Sequence, residues 1–235
     1  MKKIIVGLLI ADEWEFVPFE KWVEKFDFKK SVRYKNQVIT FDYNENISVV
    51  AVESGVGKVN AAFAASYMIS EYKCDMILNI GLSGAIKNVG MGEIVAGTDY
   101  IECDFDLTAT GKKPGLKPNQ EYHYKGDEKL LEIAKKCSVD SFEPLGTGDI
   151  FLTDREKKIY YRDTFNISAF DMETGAIAAV CHKTQIPFLS IRKISDNCDD
   201  YEGTYKKINE RAEIHLSNIF EEMLKEIAES YCYEK

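Results

Sequence analysis

Carboxylates gather in three short segments of this chain, each following an apolar run. The first is Asp12-Glu13-Trp14-Glu15, the second Phe170-Asp171-Met172-Glu173, and the third Ile191-Arg192-Lys193-Ile194-Ser195-Asp196. Carboxyl groups so placed exchange protons as general acids or bases, or accept hydrogen bonds from paired hydroxyls. An acidic residue in a first helical turn is also an ordinary cap, favoured by the helix dipole. Three carboxylates in four positions exceed what a cap at Asp12 needs, so a base stays open there beside the capping reading. At Asp171 and Glu173 capping and hydroxyl binding stand level, with Met172 as an adaptable apolar surface between them. After Asp196 the loop-forming Asn197-Cys198-Asp199-Asp200 follows, so capping explains less.

Two glycine-rich segments also follow apolar runs. In Ser54-Gly55-Val56-Gly57-Lys58-Val59 the glycines let backbone approach a ligand and a helix start would present free N–H groups. The spacing is not that of a Walker A loop, which needs four residues between its glycines and a Ser or Thr after the lysine. Gly81-Leu82-Ser83-Gly84-Ala85 reads as a close turn with small side chains that leave room for a ligand. A plain strand-to-helix turn accounts for either segment taken alone.

The elements that must hold these groups come from hydrophobic periodicity. Continuous apolar runs over Lys3–Ala11, Ile47–Glu53, Met76–Ile80, Glu93–Tyr100 and Phe188–Ile194 predict strands buried on both faces. Spacing of three and four predicts helices over Ala61–Tyr72 and Ala176–His182, and a long one over Lys206–Ser230. The stripe of that last helix is Ile208, Ala212, Leu216, Ile219, Phe220, Met223, Leu224 and Ile227. The alternation predicts an α/β class: a three-layer α/β/α sandwich around a mixed, mostly parallel twisted sheet. In such sheets ligands sit beyond the carboxyl ends of strands, where all five segments above fall. No repeat or Pro/Ser-rich linker divides residues 1–235, which read as a single domain. The loop-rich stretch Thr108–Asp127 is long for a plain connection and leans towards a functional or interface loop.

Composition narrows the partners. The formal net charge of −9 disfavours nucleic acid and anionic membrane surfaces, and suits a neutral or cationic small molecule. The first residues, Met1 to Ile10, form an apolar run too short for a signal peptide and without a small-residue cleavage site. No run approaches the ~20 apolar residues of a membrane span. Six cysteines without a C-x-x-C pair and three histidines without H-E-x-x-H predict no metal site and reduced thiols, as in a cytoplasmic protein.

Six segments in order resemble the nucleoside phosphorylase/hydrolase superfamily, most of all its 5′-methylthioadenosine/S-adenosylhomocysteine nucleosidase branch. They are Ser54–Val59, Asn79–Gly84, Asp104-Phe105-Asp106-Leu107-Thr108-Ala109, Gly148-Asp149-Ile150-Phe151, Asp171-Met172-Glu173 and Arg192–Asp196. The resemblance implies cleavage of the bond between a purine and ribose, as methionine salvage requires, with no cofactor. It implies that Asp196 protonates the leaving base and that Glu15 activates water; a shift of two would select Glu13 instead. It further implies that Phe151 stacks on the base and Leu152 reads its edge. Glu173, with Asp171, would hold ribose hydroxyls and Met172 would back the sugar. Val56, Leu82, Ser83, Gly84, Arg192 and Ser195 would complete the binding site. Asp171 and Leu82 depart from the glutamate and serine usual at those positions, which leaves the 5′-substituent open.

Phosphorylases of this superfamily place an arginine in the first turn, whereas Asp12-Glu13-Trp14-Glu15 would repel a phosphate dianion. Water is therefore the expected nucleophile. A phosphate-dependent purine or uridine phosphorylase and a non-catalytic nucleoside-binding protein are the competing readings. Thr108–Asp127 corresponds to a stretch that in the dimeric branch reaches the partner's site, so the resemblance also implies a homodimer.

Overall fold

The computed structural model describes residues 3–199 and 204–232, with side chains in the last helix described from residue 216 to 231. Asp200 lies outside the described residues, as do the side chains of Ile208 and Ala212. The chain opens with β1 (Ile4–Ile10), α1 (Glu13–Val23), β2 (Phe28–Arg33), β3 (Asn36–Asp42), β4 (Ile47–Glu53), α2 (Lys58–Ser70) and β5 (Met76–Ala85). Next come β6 (Ile94–Glu102), β7 (Tyr124–Lys125), α3 (Glu128–Ala134), β8 (Ser141–Thr147), α4 (Arg155–Phe165), β9 (Ala169–Asp171), α5 (Thr174–Thr184), β10 (Phe188–Asp196) and α6 (Thr204–Cys232).

The apolar runs become the middle of the sheet because β-branched and leucine side chains fill both of its faces. Parallel pairings join β4 to β1, β1 to β5 and β5 to β10, and antiparallel hairpins add β3 and β2 at the edge. Beyond β10 the sheet does not stay open. β10 pairs antiparallel with β6, β6 parallel with β8, β8 parallel with β9, and β9 returns antiparallel to β5. Five strands thus close a ring, so the mixed character of the sheet is stronger than the apolar runs alone suggest. Helices α1, α3 and α6 bury Phe16, Phe19, Ile133, Phe220 and Met223 on one side. Helices α2 and α5 bury Ala61, Ala65, Met68, Ile177 and Cys181 on the other. Among the described residues no helix is long and apolar enough to cross a membrane.

One expectation changes. Gly81–Ala85, read as a turn, is the continuation of β5. Its backbone groups find partners on two sides, Gly81, Leu82, Ser83 and Gly84 along β10 and Gly84 and Ala85 along β9. Gly84 lies where the three strands meet, opposite both Phe170 and Asp196. That junction brings the second and third carboxylate segments to the carboxyl end of β5.

Candidate active site

Beside the junction opens a cleft to which all three carboxylate segments contribute. The acidic turn after β1 supplies one wall. Asp12 is the N-cap of α1, its side chain accepting from the Trp14 N–H at 3.1 Å. The helical twist then sends Glu13 and Trp14 to solvent and Glu15 inward. Of the two candidate bases, only Glu15 lines the cleft. Its Oε1 accepts the Leu82 N–H at 2.7 Å, whereas its buried Oε2 has no hydrogen-bond partner among the described residues. Burial pushes the Glu15 carboxyl up to about 7, although the Arg192 guanidinium opposes the shift. Glycine at 81 is required here, since a Cβ would overlap an Arg192 nitrogen and sit 3.1 Å from both Glu15 oxygens.

Asp196 ends β10 after an irregularity between Ile194 and Asp196. Residues 197–199 after it are not helical, so Asp196 caps no helix. Ser195 Oγ donates to its Oδ2 at 2.8 Å and the Cys198 N–H to its Oδ1 at 2.9 Å. The side chain also needs Gly84, where a Cβ would collide with Cys198 Sγ and come within 2.5 Å of Asp196 Oδ1.

Glu173 occupies the remaining wall. It is 5% exposed, and its Oε1 accepts the Gly57 N–H at 3.0 Å, tying it to the start of α2. Burial raises its carboxyl, with Arg192 opposing and Asp171 adding to the rise. Met172 lines the cleft beside it. Asp171 touches the edge of the cleft, but its oxygens are engaged within the protein. Its Oδ1 accepts from Thr147 Oγ1 and from the N–H groups of Glu173 and Thr174. Its Oδ2 accepts from Thr174 Oγ1 and lies 3.4 Å from Arg192 Nε. Four internal donors thus engage this carboxylate, two of them backbone N–H groups at the start of α5.

Arg192 departs further from expectation. It is 1% exposed and lies behind the wall rather than on it. The guanidinium donates to Asn79 Oδ1 at 2.5 Å, to Thr174 Oγ1 at 2.6 Å and to Ser190 Oγ at 3.1 Å. Its Nη2 lies 3.7 Å from Glu173 Oε2. A buried cation among Glu15, Asp171 and Glu173 moderates their mutual repulsion without touching the cleft.

The lips are apolar. Val56 and Phe151 are 45% and 43% exposed, while Leu152, Leu82, Ser83 and Gly84 line the interior. Lys58 ties the lips together: its N–H donates to Asp149 Oδ1 at 2.8 Å and its Nζ to Asp104 Oδ1 at 2.6 Å. Asp104 Oδ2 in turn accepts the Asp149 N–H at 2.9 Å. The glycine-lysine segment and two further motif segments therefore form one clasp that sets the position of Val56 and Phe151. Sequence reasoning missed Ala11, Asp12, Ile150, Phe170 and Cys198 as lining residues. Each lies within four positions of a site residue that was read, which is the only signal that could have found them.

Three carboxylate segments thus converge on one cleft at the carboxyl end of a partly closed mixed sheet. The chain belongs to the phosphorylase superfamily, whose family model matches residues 5–225. It is 31% identical over 188 residues to the 5′-methylthioadenosine/S-adenosylhomocysteine nucleosidase of Bacillus cereus strain B4264, covering 76% of this chain and 81% of that one. The solved nucleosidase of that name from Campylobacter jejuni superposes with a TM-score of 0.86 at 28% identity, over 94% of this chain and 98% of that one. The Helicobacter pylori enzyme shares the fold at a TM-score of 0.90 and 24% identity, over 96% of this chain and all of that one.

Proposed function

We propose that this protein is an N-glycosyl hydrolase acting on an adenine nucleoside, 5′-methylthioadenosine and/or S-adenosylhomocysteine. The products are adenine and a thioribose compound, as methionine salvage requires. The nucleosidase names of its relatives support the class, and the observation that carries the hydrolytic reading is the charge of the cleft. Asp12, Glu15, Asp171, Glu173 and Asp196 line it, and no Lys, Arg or His among the described residues does. A phosphate dianion has no cation to hold it there, so water is the nucleophile rather than phosphate.

In this reading the base lies against Phe151, Leu152, Phe170 and Cys198, with N7 facing Asp196. The ribose rests on Met172, its hydroxyls bonded to Glu173. As the N9–C1′ bond breaks, Asp196 supplies the proton that lets the purine leave neutral, and the sugar gains oxocarbenium character. Glu15 takes a proton from water as the water oxygen bonds to C1′. A carboxyl poised near 7 suits that task at neutral pH. Residues 1–235 act as one domain in the cytoplasm, as a homodimer in which Thr108–Asp127 meets the partner.

The test is an assay of methylthioadenosine, S-adenosylhomocysteine, adenosine, inosine and aminofutalosine, each with and without phosphate. Adenine release from the thionucleosides without phosphate is expected. Strict phosphate dependence, or tight binding with no turnover, would overturn the proposal.

A further inference from the structure

Two polar atoms of the cleft are buried with no hydrogen-bond partner among the described residues, Glu15 Oε2 and Ser83 Oγ. Buried polar groups are nearly always bonded, so an orphan on a cavity wall marks where a bound molecule completes the site. Ser83 is 3% exposed, and its hydroxyl is used neither by the sheet nor by the Arg192 network.

The two orphans lie on one stretch of backbone. The Leu82 N–H holds Glu15 Oε1, fixing the carboxylate against residues 81–83. Side chains at 81 and 83 share a face of β5 about 6–7 Å apart. A Cβ at Gly81 would lie 3.1 Å from both Glu15 oxygens. The Ser83 hydroxyl and the Glu15 carboxyl thus approach the cleft from the same face of β5, each with an unpartnered oxygen.

We propose that Ser83 is a positioning residue for the attacking water, which it holds jointly with Glu15. This rests on the hydrolytic reading above. The water donates one proton to Glu15 Oε2, bonds the Ser83 hydroxyl, and keeps a lone pair directed at C1′. As the C1′–O bond forms, that proton passes to Glu15, and Ser83 stays unchanged. Leu82, on the opposite face, packs its side chain in the core beside α1 and gives its backbone N–H to Glu15.

The experiment compares Ser83→Ala and Ser83→Thr with the unsubstituted enzyme on methylthioadenosine. Each protein is also titrated with a carbocyclic analogue that cannot be cleaved. The expected result for Ser83→Ala is a kcat lowered about 10–100-fold, with KM and analogue affinity within about twofold of the parent. Ser83→Thr, which keeps a hydroxyl, should recover part of the lost kcat. An unchanged kcat in Ser83→Ala would overturn the inference. So would a loss of analogue affinity equal to the loss in kcat, since the hydroxyl would then bind the nucleoside. Failure of the hydrolytic reading is separately visible, as absence of phosphate-free cleavage by the unsubstituted enzyme.

Discussion

Glu15→Gln should make this protein more stable and much less active, and the stability gain should depend on pH in a defined way. The carboxyl titrates near 7 in the folded chain against an ordinary value of 4.5, because burial disfavours its charged form. Below pH 4.5 the group is protonated whether the chain is folded or not, and it costs the fold nothing. As pH rises from 4.5 to 7 the unfolded chain ionises first, and folded stability falls; above 7 the full penalty is present. The rise from 4.5 to about 7 corresponds to about 3 kcal/mol. Glutamine can still accept the Leu82 N–H and carries no charge at any pH. Paired thermal melts at pH 4.5 and pH 8 should therefore coincide at the lower pH. At the higher pH the variant should melt roughly 6–12 °C above the parent, taking about 2–4 °C per kcal/mol for a chain of this size. The same substitution should lower kcat about 10²–10⁴-fold through loss of the base. A gain of equal size at both pH values, or none at pH 8, would refute the account of Glu15 as a buried, strained carboxylate.

Other perturbations follow from the same geometry. The parent's kcat/KM should rise with pH through about 7, since Glu15 must be ionised to accept a proton; a profile flat from pH 5.5 to 8.5 would contradict that role. Asp196→Asn should lower kcat by about 10²–10⁴-fold while leaving affinity for a non-cleavable analogue largely intact, as measured by calorimetric titration. Gly84→Ala should cost about 10²-fold in kcat at little change in fold, because its methyl group displaces Asp196 and Cys198; circular dichroism and turnover together check it. Lys58→Met should remove the side-chain tie to Asp104 while its backbone N–H still holds Asp149, destabilising by about 1–3 kcal/mol in urea and raising KM more than it lowers kcat.

Much of this was legible in the residues, for reasons that differ by element. The strands β1, β4 and β10 are contiguous apolar runs buried on both faces, and such runs announce themselves. β2 does not, because Phe28–Arg33 is an edge strand with most of its side chains in solvent. Nor does β8, which carries Pro144, or β9, which has three residues and exists only through pairing with β5 and β8. Gly81–Ala85 misled because glycines usually mark turns, whereas here their missing side chains let three strands and two acids converge. At the site, residue type made Glu15, Glu173 and Asp196 candidates, and it was the ordered resemblance that gave them roles. Burial in a shared network is what withdraws Arg192 from the cleft and engages the oxygens of Asp171 at its edge, and no spacing rule encodes it. The same holds for the unpartnered hydroxyl of Ser83, which only the folded chain reveals.

The central claim is that water, not phosphate, attacks the sugar in a cleft walled by acids. It is tested most directly by running the reaction in water enriched in heavy oxygen, with inorganic phosphate present, and analysing the sugar product by mass spectrometry. The account predicts a free thioribose whose C1′ oxygen comes from the solvent, formed at the same rate when phosphate is left out. A sugar 1-phosphate as the product, or no product until phosphate is added, would contradict it.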